Sequence, residues 1–230
     1  MLPFSIGVQS RRKAFILAIS LTATTWDFNL YNAAIANGWN GVDVLFASVT
    51  NETNNLIGAT TASAYAFDTG AGYPNGSVLS FRNKGKVYGR GGASGGGAGG
   101  PALRAQYPIS INNQDGIIGG GGNGGGTGSS ANSMACNGAI SSDKGGPYCA
   151  GTCVSCTAPG GAGGQGAGSQ NNGVAQSGSS GGICGDGVCG VQVFGGTGGT
   201  GGALGTGGAA VAGNGNITWQ NNGTRYGAIT

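Results

Sequence analysis

Through roughly the first 90 residues, apolar positions come in short runs or alternate with polar ones at a period of two. FILAISLTA at 15–23, VDVLFASV at 42–49, ASAYAF at 62–67 and SVLSF at 77–81 therefore read as strands, since successive strand side chains face opposite ways. One stretch, 29–37, has the pattern of a short helix, with Asp27 placed ahead of it as a cap. Arg11, Arg12 and Lys13 followed by the apolar 14–19 also have the form of the charged and apolar parts of a secretory signal. The strand reading is preferred, and the apolar run is too short to span a bilayer, so no membrane insertion is expected.

Beyond residue 90 the alternation gives way to glycine. Of the 55 glycines, 44 lie between residues 91 and 220, in runs such as GGASGGGAGG at 91–100 and IGGGGNGGGTG at 118–128. Glycine has no side chain to bury and loses the most backbone freedom on folding, which disfavours helices and ordinary sandwich cores here. It does allow backbone to pack directly on backbone. Extended left-handed helices of three residues per turn leave their amides free for neighbours that come close, so a packed bundle of polyglycine-II helices is expected. A flexible glycine tract is the alternative. Collagen is excluded, because consecutive glycines and only 6 prolines break its every-third-residue rule.

Three segments repeat one another: SFRNKGKVYG at 80–89, SINNQDGIIG at 110–119 and TWQNNGTRYG at 218–227. Each has a large apolar residue, an asparagine two places on, a glycine shortly after, and an apolar residue before a final glycine. Asn and Gly tolerate positive φ, so each reads as a β-hairpin bracketing the glycine region, with Phe81, Ile111, Trp219 and Tyr226 supplying a small core. Trp26, Phe28, Tyr31 and Trp39 are either core of a small β-rich domain or, in part, an exposed docking face.

Charge and composition narrow the chemistry. With 10 basic and 7 acidic residues the formal net charge is +3, scattered, and it suggests no nucleic-acid partner. Histidine is absent, which removes the commonest general base and metal ligand. The sparse carboxylates form no catalytic pair, and Asp115 and Asp186 read as turn residues; neither enzyme activity nor a cofactor is expected. The six cysteines are Cys136, Cys149, Cys153, Cys156, Cys184 and Cys189. CAGTCVSC has the C-x3-C-x2-C spacing of an iron–sulfur site, and four thiolates could hold zinc. Disulfides stapling loops of little hydrophobic core are the preferred reading, with no metal expected and Cys184 and Cys189 able to meet across Gly185-Asp186-Gly187.

NLYNAAIANGWNG at 29–41, AFDTGAGYPNGSVLSFRNKGKVYGRGG at 66–92, YPISINNQDGIIGGGGNGGG at 107–126 and GNITWQNNGTRYGAIT at 215–230 together resemble the glycine-rich tail-fibre adhesins of T-even-like bacteriophages. The likeness covers most of the chain from about residue 29. The segment 136–156 with its cysteines, and the first 28 residues, depart from the pattern. The resemblance implies a β-rich attachment domain at 1–90 that sits on a trimeric tail-fibre or tail-tip protein. It also implies a domain of polyglycine-II helices at 91–230, whose loops bind an outer-membrane protein or surface glycan of the host. Trp26, Phe28, Tyr31 and Trp39 become candidates for fibre attachment. Loops at 103–107, 134–148, 170–176 and 183–194 become candidates for receptor contact, with Leu103, Arg104, Tyr107, Met134, Tyr148, Val188 and Phe194 as anchors. The expected function is noncovalent receptor binding from the virion; a purely structural tail-tip cap is the rival.

Overall fold

The computed structural model describes residues 13–141, 148–159, 161–162, 165–180, 183–184, 193–194 and 197–230. Its chain winds into five coils with three sides. The first coil holds β1 (Ala14–Leu21), β2 (Thr25–Trp26) and β3 (Phe28–Asn29), followed by the helix α1 (Leu30–Ala36). The second holds β4 (Val44–Asn51), β5 (Leu56–Gly58) and β6 (Phe67–Asp68), and the third β7 (Val78–Asn83), β8 (Lys86–Tyr88) and β9 (Leu103–Arg104). β10 (Ile109–Asn112) and β11 (Ile117–Gly119) begin the fourth. A long excursion follows, bearing β12 (Ala131–Ser141), β13 (Tyr148–Ala158), β14 (Ile183–Cys184) and β15 (Val193–Phe194), before β16 (Val211–Ala212) closes that coil. β17 (Ile217–Asn221) and β18 (Thr224–Tyr226) form the fifth.

Strands of successive coils pair in parallel. Sheet A runs β1-β4-β7-β10-β17, sheet B β2-β5-β8-β11-β18, and sheet C β3-β6-β9-β16. Parallel neighbours need a crossover between them, and here the other two sides of each coil supply it. The molecule is a β-solenoid of parallel strands with one α-helix among its described residues. This corrects the expected bundle of polyglycine-II helices behind a small β-rich domain. Strands on both sides of residue 90 belong to the same sheets, and the glycine runs lie in the connections between sheets B and C of the third and fourth coils. The three repeats are likewise not hairpins: each crosses from sheet A to sheet B at a corner. Ser80, Ser110 and Thr218 stack in register, as do Phe81, Ile111 and Trp219.

The interior of the coils is one apolar column that includes Leu45, Val49, Ile57, Phe67, Leu79, Phe81, Val87, Leu103, Ile111, Ile118 and Val211. Phe28, Phe67 and Phe81 stack through it, with centroids 5.5 and 4.3 Å apart. Of the four core residues expected from the repeats, Phe81 and Ile111 are buried, Trp219 packs partly buried against the column, and Tyr226 is exposed.

Each corner solves its backbone problem differently. Between sheets A and B, buried asparagines form a ladder: Asn55 Nδ2 donates to Asn51 Oδ1 at 2.8 Å, Asn51 Nδ2 to Asn83 Oδ1 at 2.8 Å, and Asn83 Nδ2 to Asn113 Oδ1 at 2.7 Å. Asn113 Nδ2 then donates to the Asn222 carbonyl at 2.9 Å and Asn55 Nδ2 to the Leu21 carbonyl at 3.0 Å, so every coil is tied to the next. Between sheets C and A lies α1 with an aromatic stack of Tyr31, Trp39, Tyr73 and Tyr107. Asn29, not Asp27, caps that helix, its side chain accepting from Asn32 N at 2.9 Å; Asp27 takes φ 48° and accepts from Thr60 N. Between sheets B and C the connection lengthens coil by coil: Asp27 alone, then 59–66, then 89–102, then 120–210.

Candidate functional site

The long B–C connections pack on one another without side chains between them. Gly92 N donates to Gly122 O at 2.8 Å, Gly122 N to Ala167 O at 2.7 Å, Ala167 N to Gly202 O at 2.9 Å, and Gly166 N to Gly92 O at 3.0 Å. Segments near 89–100, 119–126, 165–168 and 199–208 thereby satisfy each other's buried amides, as a structure with no helix or ladder there must. Glycine is required for the approach. A Cβ on Gly121 would overlap the Arg90 carbonyl, on Gly166 the Gly122 carbonyl, and on Gly208 the Gly100 carbonyl.

Two antiparallel ribbons rise from this platform. β12 pairs with β13 along their whole length, from Ala131 opposite Ala158 to Ser141 opposite Tyr148; β14 pairs with β15 and lies against the first ribbon. Their bases are joined. Gly128 N donates to Gly161 O at 2.8 Å beneath the first ribbon, and Gly198 N to Ser179 O at 2.9 Å beneath the second. Ser179 N donates to Ala162 O at 2.8 Å, and Ala162 N to Ser179 Oγ at 2.9 Å. Both ribbons therefore leave one hydrogen-bonded base side by side.

The sequence-derived candidates separate accordingly. Leu103 is core and Arg104 lies on sheet C, so 103–107 is a stretch of coil and not a loop. Tyr107 packs partly buried on the aromatic corner, its hydroxyl donating to the Pro74 carbonyl at 3.1 Å. Residues 170–176 belong to the platform: Gln170 Oε1 accepts from Gly91 N at 2.9 Å, and Gln176 N donates to Gln165 O at 2.9 Å. Met134, Tyr148 and Phe194 hold ribbon positions, whereas Val188 and Cys189 lie outside the described residues. Cys136, Cys149, Cys153, Cys156 and Cys184 are all on ribbon strands. Of the four aromatic attachment candidates, Phe28 and Trp39 are buried in the core, Tyr31 is partly buried, and Trp26 is 45% exposed at the end of the first coil.

Sheet C carries a polar cluster built around Asp68 and Arg104. Arg104 pairs with Asp68 at 2.6 Å and lies over the Tyr65 ring at 4.6 Å, while Gln106 Nε2 and Gly70 N both donate to Asp68 Oδ1 at 3.0 Å. Burial pushes the Asp68 carboxyl up, but the Arg104, Gly70 and Gln106 hydrogen bonds together outweigh it and hold the group below its ordinary value. The cluster orders successive turns of sheet C, and Asp68 has its partners within the protein.

The family model of the phage tail fibre adhesin Gp38 matches residues 16–230. The chain belongs to that family. The crystal structure of the gp37–gp38 adhesin tip complex of the bacteriophage S16 long tail fibre is similar to it, with a TM-score of 0.49 and 20% identity over 93% of this chain and 82% of that one. No curated protein sequence matches it significantly. The protein is thus a receptor-binding adhesin of the phage tail fibre, carried by the virion and acting at the host surface.

Proposed function

We propose that the β12–β13 and β14–β15 ribbons are the receptor-contacting elements, that they bind an outer-membrane protein or surface glycan noncovalently, and that the first coil seats the protein on a trimeric fibre. The observation that carries the first part is the shared base around Ser179, which presents both ribbons together from a platform of interlocked backbone. A rigid frame with variable segments separates folding from recognition. Met134, Tyr148, Val188 and Phe194 are the anchors of this reading, disulfides among the ribbon cysteines stiffen it, and no bond of the receptor is made or broken. Many copies per virion raise modest single-site affinity through effective concentration.

The second part rests on the first-coil end of the solenoid. Among the described residues, β1, β2 and β3 have strand neighbours on one side only. An uncovered row of strand edges is a template for association, and solenoid ends require capping. Phe15, Ile19 and Leu21 of β1 pack only partly buried there, and Trp26 of β2 is exposed. Ile16, in register with Phe46 and Val78 on the outer face of sheet A, is 80% exposed. A three-sided end matches a three-fold fibre tip in symmetry. Of the attachment candidates, Trp26 and the exposed part of Tyr31 serve this role, while Phe28 and Trp39 hold the coil behind them.

Exchange of residues 134–148 and 183–194 with those of a relative infecting another host tests the recognition half. Host range is expected to follow the ribbons while the virion stays intact. Unchanged host range in a stable virion would instead favour a structural cap.

A further inference from the structure

The two ribbon strands carry four of the six cysteines, and their register discriminates among the pairings. Cys136 on β12 stands directly opposite Cys153 on β13, whereas Cys149 is opposite Ile140 and Cys156 opposite Ser133. Directly opposed residues of an antiparallel pair have Cα atoms about 4.5–5.5 Å apart, inside the roughly 4.4–6.8 Å that a disulfide spans. Cys149 and Cys153 are four residues apart on one strand, about 13 Å at strand rise, which is too far to bridge. Strand alternation places Cys136, Cys149 and Cys153 at positions of one face and Cys156 at a position of the other. The same placement opposes an iron–sulfur site, since Cys156 holds a position on the other strand face from Cys149 and Cys153.

We propose that Cys136 and Cys153 form a cross-strand disulfide that staples the β12–β13 ribbon. The cysteines are reduced while the chain is in the host cytoplasm and meet oxidants after release. With a small-molecule disulfide such as oxidised glutathione as oxidant, the thiolate of one cysteine attacks a sulfur of that disulfide and expels one glutathione thiolate. The second cysteine thiolate then attacks the mixed disulfide and expels the other. Two cysteine thiols become one disulfide, one oxidised glutathione becomes two reduced ones, and both thiol protons end on the departing thiolates. The staple fixes the ribbon's register, because a slip by one residue would separate the sulfurs. The inference depends on strand pairing alone and holds whether or not the ribbon touches a receptor.

Trypsin makes the test direct, because Cys136 is the single cysteine in the fragment 105–144 and all the others lie in 145–225. Full-length protein is incubated with oxidised glutathione, alkylated in guanidinium without reductant, digested, and its linked peptides sequenced by mass spectrometry. Cys136 is expected to escape alkylation and to be joined to Cys153. In Cys153→Ser it becomes alkylatable, and in Cys149→Ser and Cys156→Ser it stays blocked. Alkylation under denaturing conditions reads the bond even where a variant folds poorly, and the wild-type linkage is assigned independently of all three. A freely alkylated Cys136 in the oxidised wild type, or its linkage to any other cysteine, would overturn the proposal.

Discussion

Replacing Gly122 by alanine adds one methyl group, yet the platform geometry makes it costly. The new Cβ would overlap the Gly202 carbonyl oxygen and stand 2.7 Å from its carbon. Ordinary carbon–carbon contact needs about 3.5–4.0 Å, so one segment must retreat by roughly 1 Å. Gly202 cannot retreat alone: its amide donates to Asn123 O at 2.6 Å and its carbonyl accepts from Ala167 N at 2.9 Å. If Gly122 retreats instead, its own bonds to Ala167 O at 2.7 Å and from Gly92 N at 2.8 Å are lost. Two buried amide pairs left unsatisfied at about 1–3 kcal/mol each give roughly 2–6 kcal/mol, and at about 2–4 °C per kcal/mol for a chain of this size Tm falls by roughly 5–20 °C. Gly126, four residues on in the same run, has nothing within 4 Å of the corresponding Cβ and no positive φ. Gly126→Ala should therefore stay within about 0.5 kcal/mol of wild type. Calorimetric unfolding of both variants reads the contrast. Equal Tm values for the two would refute backbone-on-backbone packing, because a loose glycine tract treats both substitutions alike.

Three further outcomes follow from the coils. Asn83→Ala removes both the donor to Asn113 and the acceptor of Asn51 from a buried ladder. About 2–4 kcal/mol should be lost, seen as a lower urea midpoint. Asp68 has a lowered folded-state pKa, so its contribution is present above the unfolded carboxyl value of about 3.9 and is lost as pH falls through the folded one. Asp68→Asn should be less stable than wild type at pH 7, with the gap closing toward pH 2.5; a constant gap in urea midpoints would contradict this sign. Ile16→Asp at the first-coil end should change stability by about 1 kcal/mol or less, because the position is exposed. It should nonetheless weaken binding to the purified fibre tip in a pull-down, and undiminished capture would remove the first coil from the docking face.

The aligned repeat made the stacking register legible in the sequence but not the fold class, since the expected polyglycine-II bundle is a β-solenoid. The alignment of Phe81, Ile111 and Trp219 coincides with their stacking in sheet A, and the asparagine two places after each marks the A–B corner. The alignment did not distinguish a corner from a hairpin, since Asn and Gly serve both turns and only long-range pairing tells parallel from antiparallel. Sheet C was hidden because its strands are two residues long: Phe67–Asp68, Leu103–Arg104 and Val211–Ala212 carry no periodicity of their own. The close approach of the glycine runs was readable from composition. Their origin at a single corner was not, because that depends on β16 returning to pair with β9 across more than a hundred residues. Leu103 and Tyr107 read as loop anchors because they lie between glycine runs, whereas their partners lie in neighbouring coils.

The ribbons are the proposed surface that meets the host. Gly128 N and Gly161 O stand 2.8 Å apart, so a two-residue Asn-Gly turn can replace residues 131–158 without moving the platform. Susceptible bacteria are incubated with purified protein, intact or shortened in this way, and free phage is counted after brief exposure to the parent virus. Dose-dependent loss of adsorption with the intact protein, and none with the shortened protein at an unchanged Tm, is the predicted result. Equal competition by both would remove the β12–β13 ribbon from the receptor-contacting surface.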